Sequence, residues 1–503
     1  RWATRVGLIL AMAGNAIGFG NFLRFPVQAV KNGGGAFMIP YVCAIIFLGL
    51  PLMWIEWAMG RFGGSRGHGT APGMFELLWK SRASKYVGLL GLVIPLTVSI
   101  YYIYVESWTL AYCYFSANGT FVNMPAEQFP DFFSGLLGGN GYFPIYLFLV
   151  ITILANFLIM RKGIAGGIEK VAKIALPMLF VMAIILVVRV LTLGSPDPNH
   201  PERNVIDGLA FLWNPDFTSL SDPKIWLAAT GQVFFTLSVG FGIISCYASY
   251  LKPKDDVALS GLTTTATNEF AEVVLGGSLA IPLAFAFLGA AAVQDIANQG
   301  AFTLGFITMP LIFQQMPMGQ LLSTLWFTLL FFAGITSSLA ITQASITFLE
   351  DEFDWKREKA VAAVWSFIFL AVQLVVFGPG VIDEMDFWGA NVGIVCFGLI
   401  EVILFFWVFG SNRAWDEINM SADIRIPKIF FYIMKYITPF YLIVLLVSWM
   451  AQGGIGAILM HDVAPEEVLS RWSARVLIIL IAVIAAILIR NSRKLREDEN
   501  MNI

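Results

Sequence analysis

Two stretches decide the reading: Gly14-Asn15-Ala16-Ile17-Gly18-Phe19-Gly20-Asn21 and Thr236-Leu237-Ser238-Val239-Gly240-Phe241-Gly242. Each puts Gly-Phe-Gly in the middle of a long apolar run. The chain of 503 residues is 58% hydrophobic and 13% charged, with mean hydropathy +0.75, against about 45–50% and about 25% in soluble domains. The runs around both motifs are therefore bilayer-spanning helices, each of which needs about 20 apolar residues. A glycine costs such a helix about 1 kcal/mol against alanine. Unwound backbone in a bilayer costs several kcal/mol per unpaired group unless something binds it. A single motif of this kind reads as close helix packing through small residues. Its recurrence five spans later points to inverted repeats with a binding site at two broken helices.

Working outward, apolar runs fall at 5–30, 36–60, 86–116, 143–160, 166–193, 224–251, 258–290, 320–349, 358–377, 388–409, 427–450 and 472–490, twelve spans in all. The expected fold is an all-α membrane protein with a 5+5 inverted repeat. Residues 1–193 form the first repeat (spans 1–5), 194–223 an outer loop, 224–409 the second repeat (spans 6–10), and 410–503 spans 11 and 12 with a tail. One set of loops carries 21 Lys and Arg residues and the alternate set four. By the positive-inside rule both termini are cytoplasmic, in a cell membrane crossed many times. The first residues, Arg1 to Arg5, lead into a run without a small-residue cleavage site, so the first segment is expected to be retained. Ala301–Pro317 is apolar but too short to span and reads as a re-entrant or capping loop outside.

Several function classes drop out. A net charge of -3 provides no basic face for nucleic acid, and His68, His200 and His461 are too scattered for a histidine metal centre. No nucleophile–base constellation or nucleotide loop points to an enzyme. Cys43, Cys113, Cys246 and Cys396 lie in apolar stretches and read as inert buried thiols. Asn118-Gly119-Thr120 matches a glycosylation pattern, a match short enough to arise by chance.

A broken helix offers N–H groups from one half and C=O groups from the other, and so holds an anion and a cation side by side. A zwitterionic amino acid suits it. Neutral oxygen donors gather nearby: Asn21, Thr236, Asn268, and Thr336-Ser337-Ser338. Such a set suits a monovalent ion rather than calcium or magnesium, which recruit carboxylates.

Trp2-Ala3-Thr4-Arg5, Gly14 to Pro26 (GNAIGFGNFLRFP), Asn32-Gly33-Gly34-Gly35-Ala36-Phe37, Trp54-Ile55-Glu56, Gly231-Gln232-Val233-Phe234-Phe235-Thr236 and Asp383-Glu384-Met385-Asp386-Phe387-Trp388 resemble the neurotransmitter:sodium symporter family, most narrowly its bacterial leucine-transporting branch, over all twelve spans. The resemblance implies a sodium-coupled importer of a neutral, aliphatic or hydrophobic L-amino acid. Spans 1, 2, 6 and 7 would rock against spans 3, 4, 8 and 9. The alternative is a symporter of the same fold for an osmolyte or a nucleoside. Two sodium sites are implied. The first takes Ala16 and Thr236 carbonyls, the Thr236 hydroxyl, the Asn21 and Asn268 side chains and the substrate carboxylate; the second takes carbonyls of Gly14, Ile17 and Ala333 with hydroxyls of Thr336 and Ser337. The substrate carboxylate would meet the N–H groups of Phe19 and Gly20 and the Tyr102 hydroxyl; its ammonium would meet carbonyls of Ala16, Phe235, Thr236 and Ser238. Val98, Phe235, Ser238, Phe241, Ser337 and Ile341 would line the side-chain pocket. Amine-transporting members place an aspartate where this chain has Gly18, which favours an amino acid; Phe19 and Ser99 depart from the leucine-transporting pattern and bear on size preference and gating.

Acidic residues inside spans are functional candidates. Glu269 and Glu401 qualify as such. Glu56 and Glu106 are expected to bond the unwound backbone. Glu272, expected near Gln232, Asn268 and Tyr41, stands where chloride-dependent relatives have serine, so the resemblance implies no chloride requirement and a proton taken up on the empty return. Arg24 and Asp386 resemble the outer gate, with Tyr102 and Phe235 as its lid. Asp351, Tyr250, Ser249 and Gln343 resemble the inner latch, whose arginine partner would precede Arg1 or be replaced by it. The expected partners are the amino acid and the lipid bilayer, with a homodimer compatible and no nucleic acid.

Overall fold

In the computed structural model, which describes residues 2–139, 141, 143–461 and 463–492, every regular element is helical. Nine helices are long and apolar enough to cross a bilayer among the described residues: Gly35–Gly64, Ser84–Ala117, Ile164–Leu191, Ala258–Leu288, Gly319–Phe353, Arg357–Phe377, Val381–Val408, Ile429–Ile458 and Pro465–Asn491. These are spans 2, 3, 5 and 7 to 12. Span 1 is a pair, Arg5–Ala16 and Gly20–Lys31, bent by 45°. Span 4, Ile145–Arg161, has 17 residues and is bounded by Pro144 and Lys162. Span 6 is two pieces, Pro223–Leu237 and Ile243–Ala248. The twelve spans stand where the hydropathy put them, with shifts at three: span 10 begins at Val381, span 11 runs on to Ile458, and span 12 begins at Pro465, a proline start that adds about two turns before residue 472.

Spans 3 and 8 pack side by side through the centre, and the broken spans lie against them. Each break has a sequence cause. Ile17 caps the first half of span 1 in an extended conformation (φ −77°, ψ 93°), which turns its carbonyl off the helix axis. In span 6, Ser238 (φ +54°), Gly240 (φ +75°) and Gly242 (φ +75°) are left-handed. A Cβ on Gly240 would stand 2.2 Å from the Ile394 carbonyl oxygen, so only glycine serves there. The released backbone is rebonded: the Gly240 N–H donates to Glu56 Oε1 at 2.6 Å. Glu56 thus has the expected role. Glu106 does not: it accepts from Asn156 Nδ2 on span 4 at 3.0 Å, and Asn156 Oδ1 accepts from Ser338 of span 8 at 2.8 Å, so this carboxyl ties scaffold helices together rather than a break.

The Ala301–Pro317 segment forms Thr303–Thr308 and Met309–Gln314, with Phe306 packed on Trp108 and Phe133, and so caps the bundle. In the loop between spans 5 and 6, Asp197 is held below the usual carboxylate range by the Asn199 N–H and by His200. The four cysteines are unpaired; Cys246 is buried, whereas Cys43, Cys113 and Cys396 are only half-buried. Arg1 and the tail basic residues Arg493, Lys494 and Arg496 lie outside the described residues.

Candidate functional site

A small cavity lies between the two breaks, lined by Asn15, Ala16, Gly18, Phe19, Gly20, Val98, Tyr102, Phe235, Thr236, Ser238, Phe241, Ile243, Ser337 and Ile341. Every residue expected to touch substrate is on this wall; Asn15, Gly18 and Ile243 are additions. On one side the half-helix starting at Gly20 presents the unpaired N–H groups of a helix start. The Tyr102 hydroxyl, buried on span 3, has Ser337 and the Phe19 N–H beside it but makes no well-formed hydrogen bond among the described residues. On the other side the span 6 half-helix ends at Leu237, where the Ser238 N–H closes back on the Phe235 carbonyl and the carbonyls after it have no intrahelical partner. Val98, Phe19, Phe241, Ile243 and Ile341 make the remainder apolar. The Phe19 ring stacks on Tyr102 (centroids 4.7 Å, 23°), and its tip fills the space above Gly334, where a Cβ would stand 2.6 Å from it. Phenylalanine at 19 is thus accommodated by glycine on span 8.

The donor set expected for the first ion converges. Asn21 Nδ2 donates to Asn268 Oδ1 at 2.9 Å and to Thr236 Oγ1 at 3.3 Å, and Asn268 Nδ2 donates to Thr236 Oγ1 at 3.0 Å. Asn21 Oδ1 accepts the Gly18 N–H at 2.9 Å. Both Asn21 and Glu272 sit on π-helical turns, Gly20–Arg24 and Phe270–Gly276, a geometry common at functional sites because it re-aims side chains. Glu272 accepts from the Thr236 hydroxyl, from Tyr41 at 2.8 Å and from Gln232 Nε2 at 3.0 Å. Its link to the oxygen cluster runs through Thr236, while Asn268 Nδ2 also donates to Glu269 at 3.2 Å. Glu269 shares the Tyr41 hydroxyl, 2.8 Å from each carboxylate. These neutral oxygens, with the Glu272 and Glu269 carboxyls behind them rather than among them, fit a small monovalent cation.

The second set joins span 1 to span 8. Ser337 Oγ donates to the carbonyls of Gly14 at 3.3 Å and Asn15 at 3.1 Å; Thr336 Oγ1 donates to those of Phe332 at 2.9 Å and Ala333 at 3.2 Å. A Cβ on Gly14 would stand 3.1 Å from Thr336 Cβ, so the two helices touch here. The Gly14 and Ala333 carbonyls and the Thr336 and Ser337 hydroxyls thus gather from two spans, and such a neutral oxygen set also fits a monovalent ion.

Above the cavity, on the face away from the termini, Arg24 lies 4.3 Å over the Phe235 ring, and Phe235 covers Gly20. Arg24 and Asp386 connect through Asn391 rather than directly: Arg24 Nη2 donates to Asn391 Oδ1 at 2.9 Å, and Asn391 Nδ2 to Asp386 Oδ2 at 2.8 Å. Tyr101 donates to Asp386 Oδ1 at 2.7 Å. A vestibule opens over this layer. On the terminal face, the Tyr250 hydroxyl meets Thr347 at 2.8 Å and Gln343 at 3.1 Å, and Asp351 accepts the Gly69 N–H at 2.9 Å, with Ser249 beside Gly69. Trp2 Nε1 donates to the Tyr247 carbonyl at 3.1 Å and seals span 1 to span 6. Sequence reasoning missed Asn391 and Tyr101, which no motif distinguished.

With this geometry in place, comparison with known proteins gives concordant results. The model of the sodium:neurotransmitter symporter family matches residues 1–125 and 137–495. A sodium-dependent transporter of Methanocaldococcus jannaschii is 30% identical over 450 residues, 87% of this chain and 88% of that one. Sodium-dependent nutrient amino acid transporter 1 of Drosophila persimilis is 25% identical, over 89% of this chain and 74% of that one. The crystal structure of MhsT in complex with L-phenylalanine superposes with TM-score 0.78 at 28% identity, covering 89% of this chain and 99% of that one. The chain belongs to the sodium:neurotransmitter symporter family and is a multi-pass, sodium-dependent membrane transporter.

Proposed function

We propose that the protein imports a neutral, aliphatic or hydrophobic L-amino acid together with two sodium ions, by alternating access, without a chloride requirement and with both termini cytoplasmic. The observation that carries this reading is at Gly18. A Cβ there would stand 2.9 Å from the Tyr102 hydroxyl and 3.0 Å from Ser337 Oγ, so an aspartate, with which amine-transporting relatives pair their substrate, would have to displace both hydroxyls, and this chain has glycine instead. The carboxylate then arrives with the substrate, facing the Tyr102 hydroxyl and the helix start at Gly20. A charged side chain in the apolar remainder would be unpaired, at a cost of several kcal/mol. The nutrient amino acid transporter of the fly and the L-phenylalanine complex of MhsT support an amino acid of this class.

The test is a thermal-shift panel of the twenty amino acids in sodium and in potassium. Stabilisation by neutral apolar amino acids in sodium alone is expected; stabilisation by an osmolyte or nucleoside but by no amino acid contradicts the reading. Tyr102→Phe should weaken binding by about 1.5–3 kcal/mol, the range for a hydrogen bond to a charged group. Unchanged affinity would place the carboxylate elsewhere. Ile341→Ala should shift preference toward larger side chains, read as a reordering of the panel.

A further inference from the structure

Span 12 stands outside both repeats, yet its outer end is bonded to the helix that carries Asp386. Glu467, Arg471 and Arg475 recur every four residues and so share one face. Arg475 Nε donates to Glu384 Oε1 at 2.5 Å and Nη1 to the Ile458 carbonyl at 2.6 Å. Its guanidinium lies 5.5 Å from the Trp388 ring centre and 5.1 Å from that of Trp472. Trp388 Nε1 donates to the same Glu384 oxygen at 2.8 Å. Arg471 adds contacts to Asp383 at 3.4 Å, Glu384 at 3.8 Å and Glu467 at 2.9 Å. Ahead of this helix, Gly380 (φ +72°) passes so close that a Cβ would stand 2.6 Å from Glu467 Oε2. Ser470 donates to the Pro379 carbonyl.

An exposed ion pair would contribute little. This one is different, because the Glu384 side chain is 4% exposed and losing Arg475 would leave a buried carboxylate with only Trp388 Nε1 and the longer Arg471 contact. Glu384 and Asp386 lie two residues apart on the six-residue helix Val381–Asp386, so they face different ways. The first is held by span 12; the second is turned to Tyr101 and Asn391 over the cavity.

We propose that span 12 positions the outer gate, with Arg475, seconded by Arg471, holding Glu384 so that Asp386 stays aimed at Tyr101 and Asn391 and closes over bound substrate. Arg475 is a positioning residue, and the proposal rests on the amino-acid reading above. The experiment follows dissociation of radiolabelled L-leucine, exchanged for the panel's strongest binder if that differs, from the full chain in sodium. Arg475→Gln and Glu384→Gln should each speed dissociation about tenfold, and the double variant should be no faster than the faster single, as expected for one shared interaction. The sodium concentration for half-maximal binding should stay put, which a general loosening of the fold would not allow. Arg475→Lys keeps the charge but loses the planar fork and the aromatic stack, and should fall between; it carries the test if Arg475→Gln does not fold. Single variants that release at the unaltered rate, additive effects in the double, a sodium requirement that moves in step, or an Arg475→Lys protein no faster than the unaltered one would each overturn the proposal. An unaltered protein that retains none of the panel overturns the amino-acid reading and this inference with it. Retention by the unaltered protein with unchanged variants overturns this inference alone.

Discussion

Glu272→Ser is expected to convert chloride-indifferent uptake into uptake that falls at least about tenfold when chloride is exchanged for gluconate, the lower end of what losing a partner behind a metal ligand costs. The carboxylate accepts from Tyr41, Gln232 and Thr236. With serine in its place Thr236 and Gln232 still point at one spot but meet no carboxylate there, while Tyr41 stays on Glu269, and a chloride ion can take the spot. Proteoliposomes loaded in either anion measure this. An unmodified protein that loses activity in gluconate, or a Glu272→Ser protein that works equally well there, would sink the assignment of Glu272 as a built-in anion.

Asn268→Ala should raise the sodium concentration for half-maximal amino-acid binding by about 10–100-fold or more, since even outer partners of a metal cost that much. Asn268 supplies an oxygen to the cluster and also holds Thr236 and Asn21 in place, so alanine removes a ligand and leaves two buried polar groups short of a partner. Saturating sodium should restore binding, which separates a lost ligand from a lost fold. An unchanged sodium titration would show that the ion does not use this amide.

The breaks were legible because their glycines violate helix propensity in two places that correspond, and the spans because a bilayer demands long apolar runs. The cavity wall, including Val98 and Tyr102 on span 3 and Ser337 and Ile341 on span 8, came from the family resemblance rather than from a local pattern of its own. What stayed hidden depends on rotation and on helix ends. Asn391 bridges Arg24 to Asp386 only because a π-helical turn, Phe387–Gly393, rotates it toward the vestibule. Glu106 looked like Glu56, a carboxyl in a span beside a break; only packing shows that it faces Asn156 instead. Reading span 12 from residue 472 left Glu467 and Arg471 in a loop. The helix from Pro465 is what aligns them with Arg475 against span 10.

The central claim is that sodium entry drives amino-acid uptake, and the most direct measurement is accumulation of radiolabelled amino acid in proteoliposomes under an inward sodium gradient. Accumulation above the external concentration is expected with sodium outside and none with potassium in its place. Equal accumulation in potassium, or none of the neutral amino acids accumulating in sodium, would contradict it.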